Sequence, residues 1–394
     1  MKVVFLHPDL GLGGAERLVL DAATWLRDAG HGVVVYTAHH DPRRAFPETT
    51  DGRLDVRVRG RALPSQVAQR LRAPCAVARM AWLATALARE RTPADVVVCD
   101  LVPHVVPLLR RLGYRRVVYY GHFPDRLLAR AGGAGYAWYR APIDRLEERG
   151  VAAASRVLVN SRFTAAAFRA TFPRLAGLSL EVVYPGVPTA AAGVPPAPGS
   201  GPLLCLSRFD PTKNLALALE AFAALRARLD AGVFAGLSLV VAGGLDVRLR
   251  EQRELHGALA ARARQLGIAS QVSLVLSPDD AERRRLLSSA RAVVYTPERE
   301  HFGYVPVEAM AAGRPVVAVD GGGPTETVLH GETGLLCAPT PAAFADAMGT
   351  LIRDPELAER MGRAGRLHVS RYFSRDAFGA RLEAILDECV RSAR

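Results

Sequence analysis

Short, nearly unbroken apolar runs recur along the chain, each followed by a longer Ala- and Leu-rich stretch. In the first half they read VVFLH, VVVYT, DVVVCD, RVVYYG, RVLVNS and EVVYPG; in the second, LLCLSR, LSLVVAGG, QVSLVLS, AVVYTP, PVVAVD and GLLCAP. A strand with one solvated face alternates apolar and polar residues, and these runs do not alternate. They predict parallel strands buried on both faces, with the intervening stretches as covering helices. Six runs precede and six follow GVPTAAAGVPPAPGSGP at residues 186–202, a Pro/Gly/Ala stretch suited to a hinge and unable to build a core element. The fold class expected is α/β, with two doubly wound Rossmann-like parallel-sheet domains facing a cleft. The expected boundaries are 1–187 for the first domain, 188–202 for a linker, 203–370 for the second domain and 371–394 for a helical tail able to pack on either.

Length agrees, since 394 residues exceed one ordinary core and suit two. The net charge of +12 raises the question of an anionic partner, but the arginines are scattered and no run of five basic residues occurs. With no zinc-finger spacing and no aromatic-studded basic strand, nucleic acid is not the expected partner. Cys75, Cys99, Cys205, Cys337 and Cys389 are far apart and lack CxxC spacing, which fits mostly buried thiols in a reducing compartment. The opening MKVVFLHPDL reads as a strand and not a signal peptide. Residues 73–88, APCAVARMAWLATALA, are short for a membrane span and carry Arg79 at their middle, so a buried or membrane-surface helix with a basic face is expected.

In doubly wound sheets ligands sit beyond the carboxyl ends of the strands, so chemistry is sought there. After the first run comes DLGLGGAERLVL, in which Gly13 and Gly14 open a helix whose N–H groups suit an anion. Two readings stand: a phosphate loop, or a glycine turn with no ligand. A dinucleotide fingerprint needs a third glycine where Glu16 stands, which weighs against an NAD enzyme. In SRFDPTKNLALALEAF, Arg208 closes a strand and Lys213 lies in the following turn. Only Lys2 and Lys213 are lysines among 51 basic residues, so retention of Lys213 points to lysine chemistry, a mobile point charge for a phosphate. Asn214 and Asn160, the only asparagines, are read as helix caps. In YTPEREHFGYVPVEAMAAG, Glu300 lies in a loop and Glu308 in the first turn of a short helix; two carboxylates at one strand end suit paired sugar hydroxyls. Gly322 and Gly323, in PVVAVDGGGPTETV, open another helix toward phosphate or sugar oxygens. Two cations, two carboxylates and two glycine loops describe a nucleotide-sugar site, and no D-x-D metal clamp occurs in the sequence.

Glu300 and Glu308 form the Glu-x7-Glu spacing of the retaining glycosyltransferase family 4, of GT-B fold, and SRFDPTKN and PVVAVDGGGPTETV resemble its donor-binding segments. HPDLGLGGAER, GHFPD, YRAPID and VLVNSRF further resemble the eukaryotic α-1,3/α-1,6-mannosyltransferases of dolichol-linked oligosaccharide assembly, over residues 3 to 380. The resemblance implies a membrane-associated enzyme of protein N-glycosylation on the cytosolic face of the endoplasmic reticulum. Its sugar donor would be GDP-mannose, with no tightly bound cofactor and no metal, and its acceptor mannosyl-chitobiosyl-diphosphodolichol. The first domain would serve the acceptor and the second the sugar donor; the membrane surface and other mannosyltransferases of the pathway would be its partners. Carried onto this chain, Arg208 and Lys213 bind the diphosphate, Glu308 the ribose, Glu300 the mannose, and the Gly13–Gly14 loop approaches the phosphates. His122 matches the position beside the reacting sugar, with a structural histidine bonded to backbone as the competing reading. No second strand-end carboxylate is required to play the nucleophile, which favours front-face transfer. A glycosyltransferase with another donor and a binding protein without transfer activity are the alternatives.

Overall fold

The chain folds into two compact units, Met1–Gly186 together with Arg375–Arg394, and Val187–Ser374. The computed structural model describes residues 1–66, 71–128, 134–189, 201–246 and 249–392. Most of the linker expected at 188–202 therefore lies outside the described residues.

The first unit holds seven parallel strands: β1 (Lys2–His7), β2 (Gly32–Thr37), β3 (Asp55–Val58), β4 (Val96–Asp100), β5 (Val117–Gly121), β6 (Arg156–Val159) and β7 (Leu180–Val182). They lie in the order β3-β2-β1-β4-β5-β6-β7. Six are the apolar runs; β3 is additional. Its sequence DVRV alternates, and at the sheet edge beside β2 alone its side chains remain partly exposed, so it carries no buried-run signal. Strands β4 and β5 are buried throughout.

The second unit holds six: β8 (Leu203–Leu206), β9 (Leu239–Gly243), β10 (Val272–Leu276), β11 (Ala292–Tyr295), β12 (Val316–Val319) and β13 (Gly334–Cys337), all paired parallel. Their order is β10-β9-β8-β11-β12-β13, and all six were legible as runs. In each sheet the chain winds outward from a central strand, returns, and winds outward the other way. The reversal falls between β1 and β4 in one sheet and between β8 and β11 in the other. Outside such a reversal adjacent loops diverge and leave a crevice for ligand.

Helices cover both sheets. Helix Arg72–Arg89 buries Met80, Leu83, Ala84 and Leu87 against Val4 and Leu6 of β1. Arg79, expected on a basic face, is instead 7% exposed and turns inward, its guanidinium 3.8 Å from Asp9. Among the described residues no helix is long and apolar enough to cross a membrane. The tail helix Arg375–Arg391 packs on the first unit, burying Phe378, Leu382, Ile385 and Leu386 in the core that holds Val3 and Phe5. Full burial of each such side chain is worth about 1.5–3 kcal/mol. Gly379 permits that packing, because a Cβ there would lie 2.2 Å from the Trp25 ring of helix Gly14–Asp28. The five cysteines are unpaired, with Cys99, Cys205 and Cys389 buried.

Candidate active site

In the first unit β1 ends at His7 and β4 at Asp100, side by side where the strand order reverses; His122 follows β5 by one residue. Asp100 lies between the two imidazoles. His7 Nδ1 is 2.8 Å from its Oδ2, and His122 Nε2 is 2.8 Å from its Oδ1. His7 and Asp100 are fully buried. Burial alone would raise the Asp100 pKa, but the charge and hydrogen bond of His122, and then those of His7, bring it down to about 2. Burial would likewise discharge His7, yet its bond to Asp100 and its attraction to Glu16 raise it to about 9. At neutral pH the pair is therefore an imidazolium and a carboxylate.

Glu16 supplies the second anion. Its carboxylate stands 3.9 Å from His7 Nε2, and although burial pushes its pKa up, His7 holds it below the ordinary value. The same carboxylate lies over Gly13, where a Cβ would fall 2.3 Å from Glu16 Oε2. The helix start read as an anion loop thus has the protein's own carboxylate folded across Gly13, beside Gly14, which opens helix Gly14–Asp28.

Backbone contacts fix the His122 segment. Its carbonyl accepts from Asn160 Nδ2 at 3.2 Å and from Thr164 Oγ1 at 3.3 Å. Asn160 is therefore not the cap it was expected to be. Ser161, extended at φ −164°, occupies the cap position and accepts from the Thr164 N–H of helix Arg162–Thr171 at 2.9 Å. Further on, Glu147 accepts from the N–H groups of Asp125 at 2.7 Å and Arg126 at 3.2 Å, anchoring the turn after HFPD. Burial pushes the Glu147 carboxyl up to about 7 despite those donors.

In the second unit Arg208 stays exposed beyond β8. Asp210 caps the turn Pro211–Lys213 by accepting from the Thr212 N–H at 2.9 Å, which brings Lys213 toward the end of β11. There Lys213 Nζ donates to Glu300 Oε2 at 2.6 Å, and the Tyr295 hydroxyl donates to the same oxygen at 2.7 Å. Burial would raise the Glu300 pKa, but Lys213 and the Tyr295 bond hold it below the ordinary value. Asn214 adopts the left-handed φ of 47° at the start of helix Leu215–Ala224, makes no side-chain cap bond, and donates to Glu298 at 3.3 Å. Asparagine is one of the few residues that tolerates that conformation, and its cap reading is corrected accordingly.

Glu308 is also moved from its expected place. The helix is Tyr304–Ala311, so Glu308 lies beyond the first turn, where the helix dipole offers it little, and it pairs with Arg283. The glycines after β12 serve close backbone approach. A Cβ on Gly322 would meet Glu300 O at 2.5 Å, and one on Gly323 would meet Phe302 O at 2.3 Å. The Gly323 N–H donates to Glu300 O at 2.8 Å, so it braces the Glu300 loop and is not offered to a ligand.

Lys213, Glu300 and the Gly322–Gly323 loop are thus brought together. His7, Asp100, Arg283 and Tyr295 were missed by sequence reading. The signal for His7 and Asp100 was present, since each is the last residue of its apolar run. Among the described residues no group of three His, Cys, Asp or Glu side chains is disposed to hold a metal ion.

The chain matches the family described as Glycosyltransferase Family 4 over residues 12–191 and Glycosyl transferases group 1 over residues 196–368. It is 42% identical to the alpha-1,3/1,6-mannosyltransferase ALG2 of Homo sapiens over 394 residues, covering 97% of this chain and 94% of that one. The corresponding enzyme of Rhizomucor pusillus is 39% identical over 419 residues, covering 98% and 92%. Among solved structures, sucrose-phosphate synthase from Thermosynechococcus elongatus shares the fold with a TM-score of 0.79 at 21% identity, covering 99% of each chain.

Proposed function

This chain belongs to the α-1,3/1,6-mannosyltransferase family of glycosyltransferases, and from that premise we propose that it moves mannose from GDP-mannose to mannosyl-chitobiosyl-diphosphodolichol. One α-1,3 and then one α-1,6 mannose are added, with retention, at the cytosolic face of the endoplasmic reticulum membrane. The observation that carries the reading is the Lys213–Glu300–Tyr295 cluster at the β8/β11 reversal, a cation and a carboxylate poised at one strand-end crevice.

Each residue has a part. Arg208 and Lys213 take the diphosphate, and Glu308 takes the ribose hydroxyls while retaining Arg283, since one carboxylate accepts several hydrogen bonds. Glu300 accepts from mannose hydroxyls, Gly322 and Gly323 shape its loop, and Gly13 and Gly14 form the turn nearest the phosphates. His122 serves the reacting sugar. In transfer the bond between mannose C1 and the phosphate oxygen breaks as the acceptor oxygen bonds C1 on the same face. The acceptor proton passes to the departing phosphate oxygen, and GDP leaves with its charge stabilised by Arg208 and Lys213. No resident cofactor is invoked. Contact with the membrane surface, and with other mannosyltransferases of the pathway, completes the setting.

The test is mass spectrometry of a synthetic lipid-linked mannosyl-chitobiosyl diphosphate after incubation with the protein, membranes and GDP-mannose. Gain of two hexoses, removable by α-1,3- and α-1,6-specific mannosidases, is expected. No gain, from protein that binds GDP-mannose, overturns the acceptor; transfer from UDP-sugars instead overturns the donor.

A further inference from the structure

Two buried ionisable groups of the first unit have no part in that chemistry. His7 and Asp100 end adjacent strands, and Asp100 touches His122 as well. An ionised carboxylate only accepts hydrogen bonds, so both nitrogens facing it carry hydrogen. His122 is then protonated at Nε2, and in its neutral form the lone pair is confined to Nδ1. The segment is pinned at a second point, the carbonyl held by Asn160 and Thr164, and Tyr120 lies against the ring with centroids 5.2 Å apart.

We propose that Asp100 and His7 are positioning residues for sugar transfer: Asp100 fixes the tautomer and orientation of His122, and His7 holds Asp100 in place from its other oxygen. The inference deepens the function proposed above and rests on it for the role of His122. A pair that merely stapled β1 to β4 would need only the His7 bond and would leave His122 indifferent. The ionisable groups facing the pair are His7 and His122 against Asp100, and Asp100 and Glu16 against His7; burial, followed by the charge of Asp100, raises the Cys99 thiol, and burial, followed by the charges of Glu147 and then Asp100, raises the Tyr119 phenol.

The experiment uses the full chain labelled with 15N-histidine, as wild type, Asp100→Asn, Asp100→Glu, His7→Gln and, for assignment, His122→Gln. Two-bond nitrogen–proton correlation spectra report each ring's tautomer, and transfer kinetics are followed across pH. In wild type, His122 shows the Nε2–H pattern and His7 is doubly protonated. In Asp100→Asn an amide N–H must face one ring, so His7 loses its second proton or His122 changes tautomer. The kcat of Asp100→Asn falls roughly 10- to 100-fold with KM for the sugar donor within about twofold, the usual scale for loss of an orienting partner. Asp100→Glu recovers part of the rate. Unchanged protonation of both rings in Asp100→Asn, or an unchanged kcat, overturns the proposal. If Asp100→Asn does not fold, His7→Gln takes its place in the kinetics, and an unchanged kcat there overturns the proposal. If wild type transfers no mannose, the functional reading fails, and the positioning is judged by spectrum alone: a wild-type His122 without the Nε2–H pattern overturns it.

Discussion

Lys213 Nζ and Glu300 Oε2 meet at 2.6 Å although 87 positions separate them in the chain. One follows β8 and the other follows β11, so the pair exists only because the strand order reverses there. Lys213→Ala leaves Glu300 partly buried with the Tyr295 hydroxyl as its remaining partner at that oxygen, and in the function proposed above removes a cation from the diphosphate. Losing a charged hydrogen bond costs about 1.5–3 kcal/mol, so kcat/KM for GDP-mannose is expected to fall at least tenfold by steady-state kinetics. Lys213→Arg keeps the charge but exchanges a mobile ammonium for a planar fork, and is expected to fall between the two. Turnover of Lys213→Ala within a few-fold of wild type would show that Lys213 serves only Glu300.

The His7–Asp100 pair gives the protein an alkaline weakness. The folded pKa of His7 is raised to about 9, above its unfolded value. Its stabilisation is therefore complete below about pH 6.5, the unfolded value, and is lost as pH rises through the folded one. Differential scanning calorimetry of the wild type should show Tm declining over that window. His7→Gln should start lower and decline less, and an equally steep alkaline arm in His7→Gln would assign the loss to other groups.

Glu147 acts in the same direction over a lower window. Its folded carboxyl titrates near 7, above the unfolded value, so the folded state binds the extra proton and stability drops as pH rises from about 4.5 toward neutrality. Glu147→Gln removes the titration. Its Tm should therefore change less between those limits, while the turn at Asp125 and Arg126, deprived of one acceptor oxygen, exchanges its amide hydrogens faster.

Legibility in the sequence followed the apolar pattern. Twelve strands lie in mostly apolar runs and were visible as such, including the partly exposed edge strands β7 and β10, whereas the edge strand β3 alternates and was not. Strand-end residues could be located by rule, which exposed Lys213, Glu300 and His122. Partners contributed by another element could not. Nothing local marks Arg283 as the companion of Glu308, or Tyr295, a strand residue, as a second donor to Glu300. The rarity of Asn214 was a real signal with the wrong cause assigned: the position demands a left-handed backbone, not a capping side chain. Arg79 left a buried and a surface helix both open, since a charge inside an apolar stretch suggests a surface; the fold turns it inward beside the more exposed Asp9.

The glycines of the second unit make the last prediction. Gly323 has an ordinary helical φ of −57°, so alanine there meets no conformational penalty, yet its Cβ would lie 2.3 Å from Phe302 O. Backbone must shift, and overpacking of this kind costs about 1–3 kcal/mol. The displaced segment carries Glu300, whose carbonyl holds the Gly323 N–H. Gly323→Ala should therefore lower Tm and weaken GDP-mannose binding together. Gly257 is the counterpart, exposed in helix Arg250–Gln265 with nothing within 4 Å of a Cβ. Gly257→Ala should stabilise by about 0.5–1 kcal/mol through reduced freedom of the unfolded chain, with binding unchanged. Equal effects of the two substitutions on binding would separate Gly323 from the Glu300 loop and return its role to simple packing.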